Sequence, residues 1–174
     1  GFPNAFAFAD PRVEKLADIA YGESLPGDKG KRNLLDVIRP KDAKPGDKRP
    51  VLLQIHGGAW IIGDKREQAL PLMVHMAAEY GWLCVATNYR LSPQASFPAH
   101  IVDVKRALAW ILAHIAEYGG DPGFVCVTGG SAGGHLTALT ALSANDPRFQ
   151  PGFEGVDTTV AAAVPFYGVY DFLD

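Results

Sequence analysis

Short apolar stretches and helix-period stretches alternate along most of this chain. Three of the apolar stretches, residues 51–55, 82–87 and 124–128, lack the polar-apolar alternation of a half-exposed strand. This pattern is typical of strands that a sheet buries on both faces. Residues 160–164 predict one more buried strand, and residues 19–23 and 33–39 predict two short strands that enter the fold.

Between these stretches, apolar residues recur at intervals of three and four, the spacing of amphipathic helices. One predicted helix ends at Gly81, a second begins at Pro98, and a third spans residues 136–142. Asp64 and Glu67 are expected to cap the first helix reciprocally. Strands that alternate with helices predict an α/β protein, with a mostly parallel sheet and helices on both faces.

The strand at 124–128 leads directly into a Gly-x-Ser-x-Gly pattern, which a helix-forming run follows. The pattern is formed by Gly129, Ser131 and Gly133. A serine in this strand–turn–helix context is a candidate nucleophile, and its neighbours two positions away must be small. The alternative is a glycine-rich turn with a solvated serine, and the pattern alone does not decide between the two.

A second glycine motif follows the earlier strand at 51–55. It reads His56-Gly57-Gly58-Ala59-Trp60. A serine esterase needs a loop of this kind, after an earlier strand, to provide backbone N–H groups to the oxyanion. The two motifs together favour Ser131 as a nucleophile.

In these motifs the sequence resembles the α/β-hydrolase superfamily, specifically the hormone-sensitive-lipase-like carboxylesterases. The resemblance also rests on Asn88-Tyr89-Arg90-Leu91, Phe97-Pro98-Ala99, Gly120-Asp121-Pro122 and Gly130-Ser131-Ala132-Gly133-Gly134. Ala59 stands where the family usually has a third glycine, and Gly130 stands where an acidic residue often precedes the serine. The resemblance implies an α/β-hydrolase fold over residues 15–174, with residues 1–14 as either a remnant of an active-site cover or a tail packed on the surface.

The resemblance also implies roles for individual residues. The oxyanion donors would be the backbone N–H groups of Gly58, Ala59 and Ala132. Supporting positions would be His56, Gly57, Gly129 and Gly133, and the substrate pocket would include Trp60 and Tyr167, which could equally be core or rim aromatics.

Family order places the acid and the histidine of the triad after the serine. The only histidine after Ser131 is His135, one helical turn further on and directed away from the approach of a base. Asp171 is expected to cap a helix, and Asp103 to pair with a strand or loop group such as Arg90. We therefore expect the catalytic Asp and His beyond residue 174. The C-terminal strands would be missing from this chain, and the remainder could be a separate polypeptide.

Composition narrows the function classes further. A formal net charge of −3 gives no reason to expect binding to nucleic acid, and no apolar run is long enough to span a membrane. Cys84 and Cys126 both lie in apolar strand patterns, which predicts buried thiols. No Cys/His spacing suggests a metal, and no cofactor is expected. The sequence leaves the compartment open, with the cytoplasm favoured, and a homo-oligomer is possible.

The predicted function is a serine carboxylesterase that hydrolyses short- to medium-chain carboxylic esters through an acyl-serine intermediate. An arylformamidase or feruloyl-esterase type of hydrolase is a first alternative, because its members share the His-Gly-Gly-x-Trp pattern. A non-catalytic small-molecule receptor on the same fold is a second.

Overall fold

A six-stranded mixed sheet forms the centre of the protein. The computed structural model describes residues 10–66 and 69–171. The strands are β1 (Val13–Ala20), β2 (Leu34–Pro40), β3 (Arg49–Ile55), β4 (Leu83–Thr87), β5 (Gly120–Gly130) and β6 (Ala162–Phe166). Their spatial order is β1-β2-β4-β3-β5-β6. β1 and β2 are antiparallel entry strands, and the other four run parallel to one another.

In the described part of the chain, three α-helices cover the two faces of the sheet. They are α1 (Leu70–Tyr80), α2 (Ala99–His114) and α3 (Ala132–Leu142). Successive residues of β3 point to opposite faces, so Leu53 packs in the cluster that includes α2 and α3, while Leu52 packs with Met73 of α1. The prediction of a mostly parallel sheet with helices on both faces is confirmed.

Both cysteines are buried on the α1 side of the sheet as free thiols. Burial raises the pKa of Cys84 to about 12. Within the described ranges, no helix is long and apolar enough to cross a membrane, and no group of three or more His, Cys, Asp or Glu side chains could hold a metal ion.

Two expectations for individual strands are wrong. β1 begins at Val13 and ends at Ala20, rather than covering 19–23; it pairs antiparallel with β2 along this range, with a register shift between Leu16 and Ile19. β1 therefore includes the last two residues of the predicted segment 1–14, of which residues 1–9 lie outside the described residues. β6 pairs along β5 but is largely exposed, not buried.

The start of α1 also differs from the expectation. The helix begins at Leu70 after Ala69, which has a left-handed backbone and makes no side-chain capping bond. The Asp64 carboxylate instead accepts hydrogen bonds from Arg66, at 3.0 Å from its backbone nitrogen and 2.7 Å from Nε. Glu67, the other residue of the predicted capping pair, lies outside the described residues.

Candidate active site

The Ser131 backbone is strained at the sharp turn between β5 and α3. Its φ of 56° and ψ of −121° are angles that a residue with a side chain rarely adopts. Two hydrogen bonds hold the turn: the Ser131 N–H donates to the Phe166 carbonyl at 3.0 Å, and the His135 N–H donates to the Ser131 carbonyl at 3.0 Å. The hydroxyl is thus presented at the N-terminal, positive end of α3, where negative charge is stabilised.

Gly129 and Gly133 let this turn pack directly against the end of β3. A Cβ placed on Gly133 would lie 2.8 Å from the His56 carbonyl oxygen and closer still to that of Ile55. A Cβ on Gly129 would meet the Ile55 carbonyl as well. Backbone atoms cannot give way cheaply, so glycine at both positions brings the serine turn against the loop that begins at His56.

That loop, residues 56–63, contains consecutive residues with left-handed backbones. The φ angles are 122° at Gly58, 52° at Ala59 and 61° at Trp60. The Gly58 carbonyl accepts hydrogen bonds from the N–H groups of Ile61 and Ile62, each at 3.0 Å. The Ala59 N–H belongs to the same planar peptide as this carbonyl and points the opposite way, so the two bonds fix its direction.

His56 fixes the direction of the Gly58 N–H in a similar manner. Its Nδ1 lies 2.8 Å from the Gly57 carbonyl oxygen, which can only accept, so Nδ1 carries the proton and donates. The Gly58 N–H shares the peptide of that carbonyl and is directed away from it. Burial lowers the pKa of His56 to about 4, which keeps the ring neutral near pH 7. Nε2 is buried and has no hydrogen-bond partner among the residues that the structure describes.

A cavity of about 650 Å³ opens beside the loop and α3. Its lining is mostly apolar and, among the described residues, includes Ala59, Trp60, Ile61, Ser92, Ser96, Phe97, His100, His135 and Leu139. Tyr167 does not lie there. It is exposed and lines a separate cavity of about 250 Å³ with Gln54, Leu72 and Gly130. The structure therefore does not bring Trp60 and Tyr167 into one pocket.

Within residues 10–66 and 69–171, no hydrogen bond joins the ring of any of the five histidines to the Ser131 hydroxyl. Each ring has other neighbours: Gly57 and Tyr89 for His56, Tyr80 for His75, Ser92 for His100, Glu117 for His114 and Trp60 for His135. The Ser92 hydroxyl donates to the Ala95 carbonyl at 3.0 Å, so the His100 ring does not draw a proton from it.

Asp103 pairs with Arg90, as the sequence predicts. Both carboxylate oxygens lie 2.9 Å from guanidinium nitrogens, and the Arg90 backbone N–H also donates at 2.9 Å. The carboxylate is buried, so this pair has a structural role. Asp171 is exposed after β6, and its predicted capping role stays a prediction because residues 172–174 lie outside the described part of the chain.

The sequence reasoning missed Tyr89 as part of this site. The ring of Tyr89 stacks on that of His56 with centroids 4.4 Å apart and planes at 14°, and its hydroxyl donates to the His56 carbonyl at 2.9 Å. A signal was present, because Tyr89 follows β4 closely and His56 follows β3. The carboxyl ends of adjacent parallel strands lie side by side, which is where such sheets place their sites.

Several known proteins are similar to this chain in sequence. The chain is 63% identical over 155 residues to "Probable carboxylic ester hydrolase LipM" and 61% identical over 157 residues to "Esterase LipQ", both of Mycobacterium tuberculosis. These matches cover 89% and 90% of this chain but 35% and 36% of the relatives, so the chain spans about a third of their length.

Solved structures of esterases have the same fold. The Thermogutta terrifontis esterase 2 matches with a TM-score of 0.73 and 29% identity over 91% of this chain and 54% of its own. A bacterial heroin esterase matches with a TM-score of 0.65 and 33% identity over 90% and 45%. The predicted α/β-hydrolase fold is thereby confirmed. The BD-FAE family model matches residues 35–174, and the chain belongs to that family.

Proposed function

We propose that this chain carries the nucleophile and the oxyanion loop of a serine carboxylesterase. The strained backbone of Ser131 is the observation that carries the proposal. Strain of this kind costs on the order of 1–3 kcal/mol and persists where the surrounding structure enforces it, most often at functional sites. A solvated turn serine would have no reason to retain it. The names of LipM and LipQ support the same reaction class.

In the proposed reaction, the Ser131 hydroxyl oxygen attacks the ester carbonyl carbon while a general base accepts its proton. The carbonyl oxygen becomes an oxyanion and accepts hydrogen bonds from the N–H groups of Gly58, Ala59 and Ala132. Collapse breaks the bond to the alkoxy oxygen, which leaves as the alcohol after receiving the proton, and an acyl-serine remains. Water attacks this ester in a second cycle and releases the carboxylic acid.

The base and its orienting acid are, in this proposal, a histidine and an aspartate beyond residue 174. The loop at 56–63 contributes most of the transition-state stabilisation on this chain. Removing one oxyanion donor typically costs about 3–4 kcal/mol. Ala132 is the first residue of α3, so its N–H adds to the helix dipole at the same point.

The proposed substrates are esters with a short or medium acyl chain. The cavity beside Trp60 has a volume of about 650 Å³, within the range of small-molecule sites, and its apolar lining suits an uncharged hydrocarbon group. A metal or organic cofactor is not needed for this chemistry, because the charge of the intermediate is met by backbone dipoles.

The test compares Ser131→Ala with Ser24→Ala in the full-length protein, since Ser24 is an exposed serine far along the chain from both motifs. We expect Ser131→Ala to abolish hydrolysis of 4-nitrophenyl butyrate and labelling by a fluorophosphonate probe, and Ser24→Ala to change neither. Intact mass would show one probe per molecule. Hydrolysis that survives in Ser131→Ala would overturn the proposal. A wild-type protein that binds esters but neither cleaves them nor reacts with the probe would be a receptor.

A further inference from the structure

Tyr89 is buried completely, yet its hydroxyl lies next to the loop at 56–63. It comes just after β4, while the loop comes from β3. The hydroxyl donates a hydrogen bond of 2.9 Å to the His56 carbonyl, and the ring stacks on the His56 imidazole. One side chain therefore holds both the backbone and the side chain of the first residue of the loop.

The His56 carbonyl lies where the two halves of the site meet. On one side it accepts from Tyr89, and on the other it borders the serine turn, since a Cβ on Gly133 would lie 2.8 Å from its oxygen. A rotation of the peptide between His56 and Gly57 would move this oxygen toward α3 or away from it. The Tyr89 hydrogen bond restrains that rotation.

The restraint continues into the next peptide. The His56 Nδ1–H donates to the Gly57 carbonyl at 2.8 Å, which directs the N–H of Gly58. The imidazole can do this only while its own plane is fixed, and the stacked Tyr89 ring lies parallel to it within 14°. Two successive peptide planes are thus set, directly or through His56, by Tyr89.

From this geometry we infer that Tyr89 is a positioning residue of the oxyanion hole, acting through His56 on the direction of the Gly58 N–H. The inference rests on the proposed function for its catalytic meaning, although the restraint of the loop is a property of the chain itself. Misdirected N–H donors stabilise the transition state less well, while the binding of the substrate changes little. The expected effect is therefore a lower kcat with a similar KM.

The chain contains a matched control in Tyr21. This tyrosine is also buried. Its one hydroxyl proton is shared between the Arg32 carbonyl at 2.8 Å and the Asn88 carbonyl at 3.1 Å, neither of which belongs to the loop at 56–63. Tyr89→Phe and Tyr21→Phe each remove one buried hydroxyl and retain the ring. A purely structural role would therefore affect both variants alike.

The experiment uses the full-length protein with two measurements. In steady-state hydrolysis of 4-nitrophenyl butyrate, Tyr89→Phe is expected to lower kcat about tenfold with KM within twofold, as for a misaligned catalytic group. Tyr21→Phe is expected to leave both constants within twofold, although both variants lower the melting temperature. A trifluoromethyl ketone, which mimics the tetrahedral intermediate, should bind Tyr89→Phe more weakly by a factor similar to the loss in kcat.

The second measurement does not depend on esterase activity. Amide hydrogen exchange, followed by mass spectrometry on peptides covering 56–62, is expected to accelerate in Tyr89→Phe and not in Tyr21→Phe. If exchange in this loop is unchanged in Tyr89→Phe, the inference is overturned, whether or not the wild-type protein hydrolyses esters. If the wild-type protein hydrolyses no ester, only the proposed function is overturned. An unchanged kcat, or equal losses in both variants, would also overturn the inference.

Discussion

Acidification should destabilise this fold through the buried ring of His56. The folded protein holds the pKa of His56 at about 4, below the ordinary value of about 6.5 in an unfolded chain. The neutral ring is thus favoured by folding, and the unfolded chain binds the proton more readily. The stabilisation is complete above pH 6.5 and is lost as the pH falls from 6.5 toward 4.

The size of the effect follows from the same two pKa values. Linkage predicts a loss of about 1.4 kcal/mol in the free energy of unfolding between pH 7.5 and 5.5, and about 2.5 kcal/mol between pH 7.5 and 4.5. The physical origin is desolvation, because a charged imidazolium would be enclosed with its Nε2 proton unpaired.

Urea unfolding of the wild type and of His56→Gln, at pH 7.5, 5.5 and 4.5, isolates this contribution. Other groups titrate equally in both proteins and cancel in the difference between them. His56→Gln is expected to be less stable than the wild type at pH 7.5, and the gap should narrow by about 2.5 kcal/mol at pH 4.5. A gap that changes by less than about 0.5 kcal/mol, the usual error of such comparisons, would refute the assignment of the neutral buried ring.

Three further changes probe other parts of the structure. Gly133→Ala places a Cβ against the carbonyl of Ile55 and should reduce kcat by at least about a hundredfold, as a displaced nucleophile would; activity near the wild-type level would show that the turn can relax. Asp103→Asn leaves the guanidinium of Arg90 without its buried carboxylate and should lower the free energy of unfolding by about 3 kcal/mol in urea, whereas a loss below about 1 kcal/mol would mean that solvent replaces the pair. Cys84 should resist iodoacetamide in the native protein and react after unfolding, because burial raises its thiol pKa to about 12; rapid native labelling would contradict that burial.

The elements that the sequence predicts well are those with a strong one-dimensional pattern. β3, β4 and β5 lie within a few residues of their predicted positions because burial on both faces leaves no room for polar alternation. β1 was misplaced because it is an edge strand with charged residues at exposed positions. Its position depends on pairing with β2, a long-range contact that local pattern does not contain.

The same distinction holds within the site. The serine turn and the glycine loop were predictable because each is a local motif whose steric demands are visible in the residue types. Tyr89 was not, since its role depends on where β4 lies relative to β3 in three dimensions. The separation of Trp60 from Tyr167 was hidden for the same reason, as the two residues lie more than a hundred positions apart in the sequence.

The left-handed backbone at Ala59 bears on how this loop can change during evolution. Glycine there would remove a native-state penalty of roughly 1–2 kcal/mol for a side chain at positive φ. It would also add about 0.4–1 kcal/mol of chain freedom to the unfolded state, which opposes folding. The second effect offsets part of the first, so exchanging alanine and glycine at this position changes the free energy of unfolding by at most about 1.5 kcal/mol. A β-branched residue would meet a larger penalty at this backbone angle. The number of glycines in this loop can therefore change during evolution at a small cost in stability.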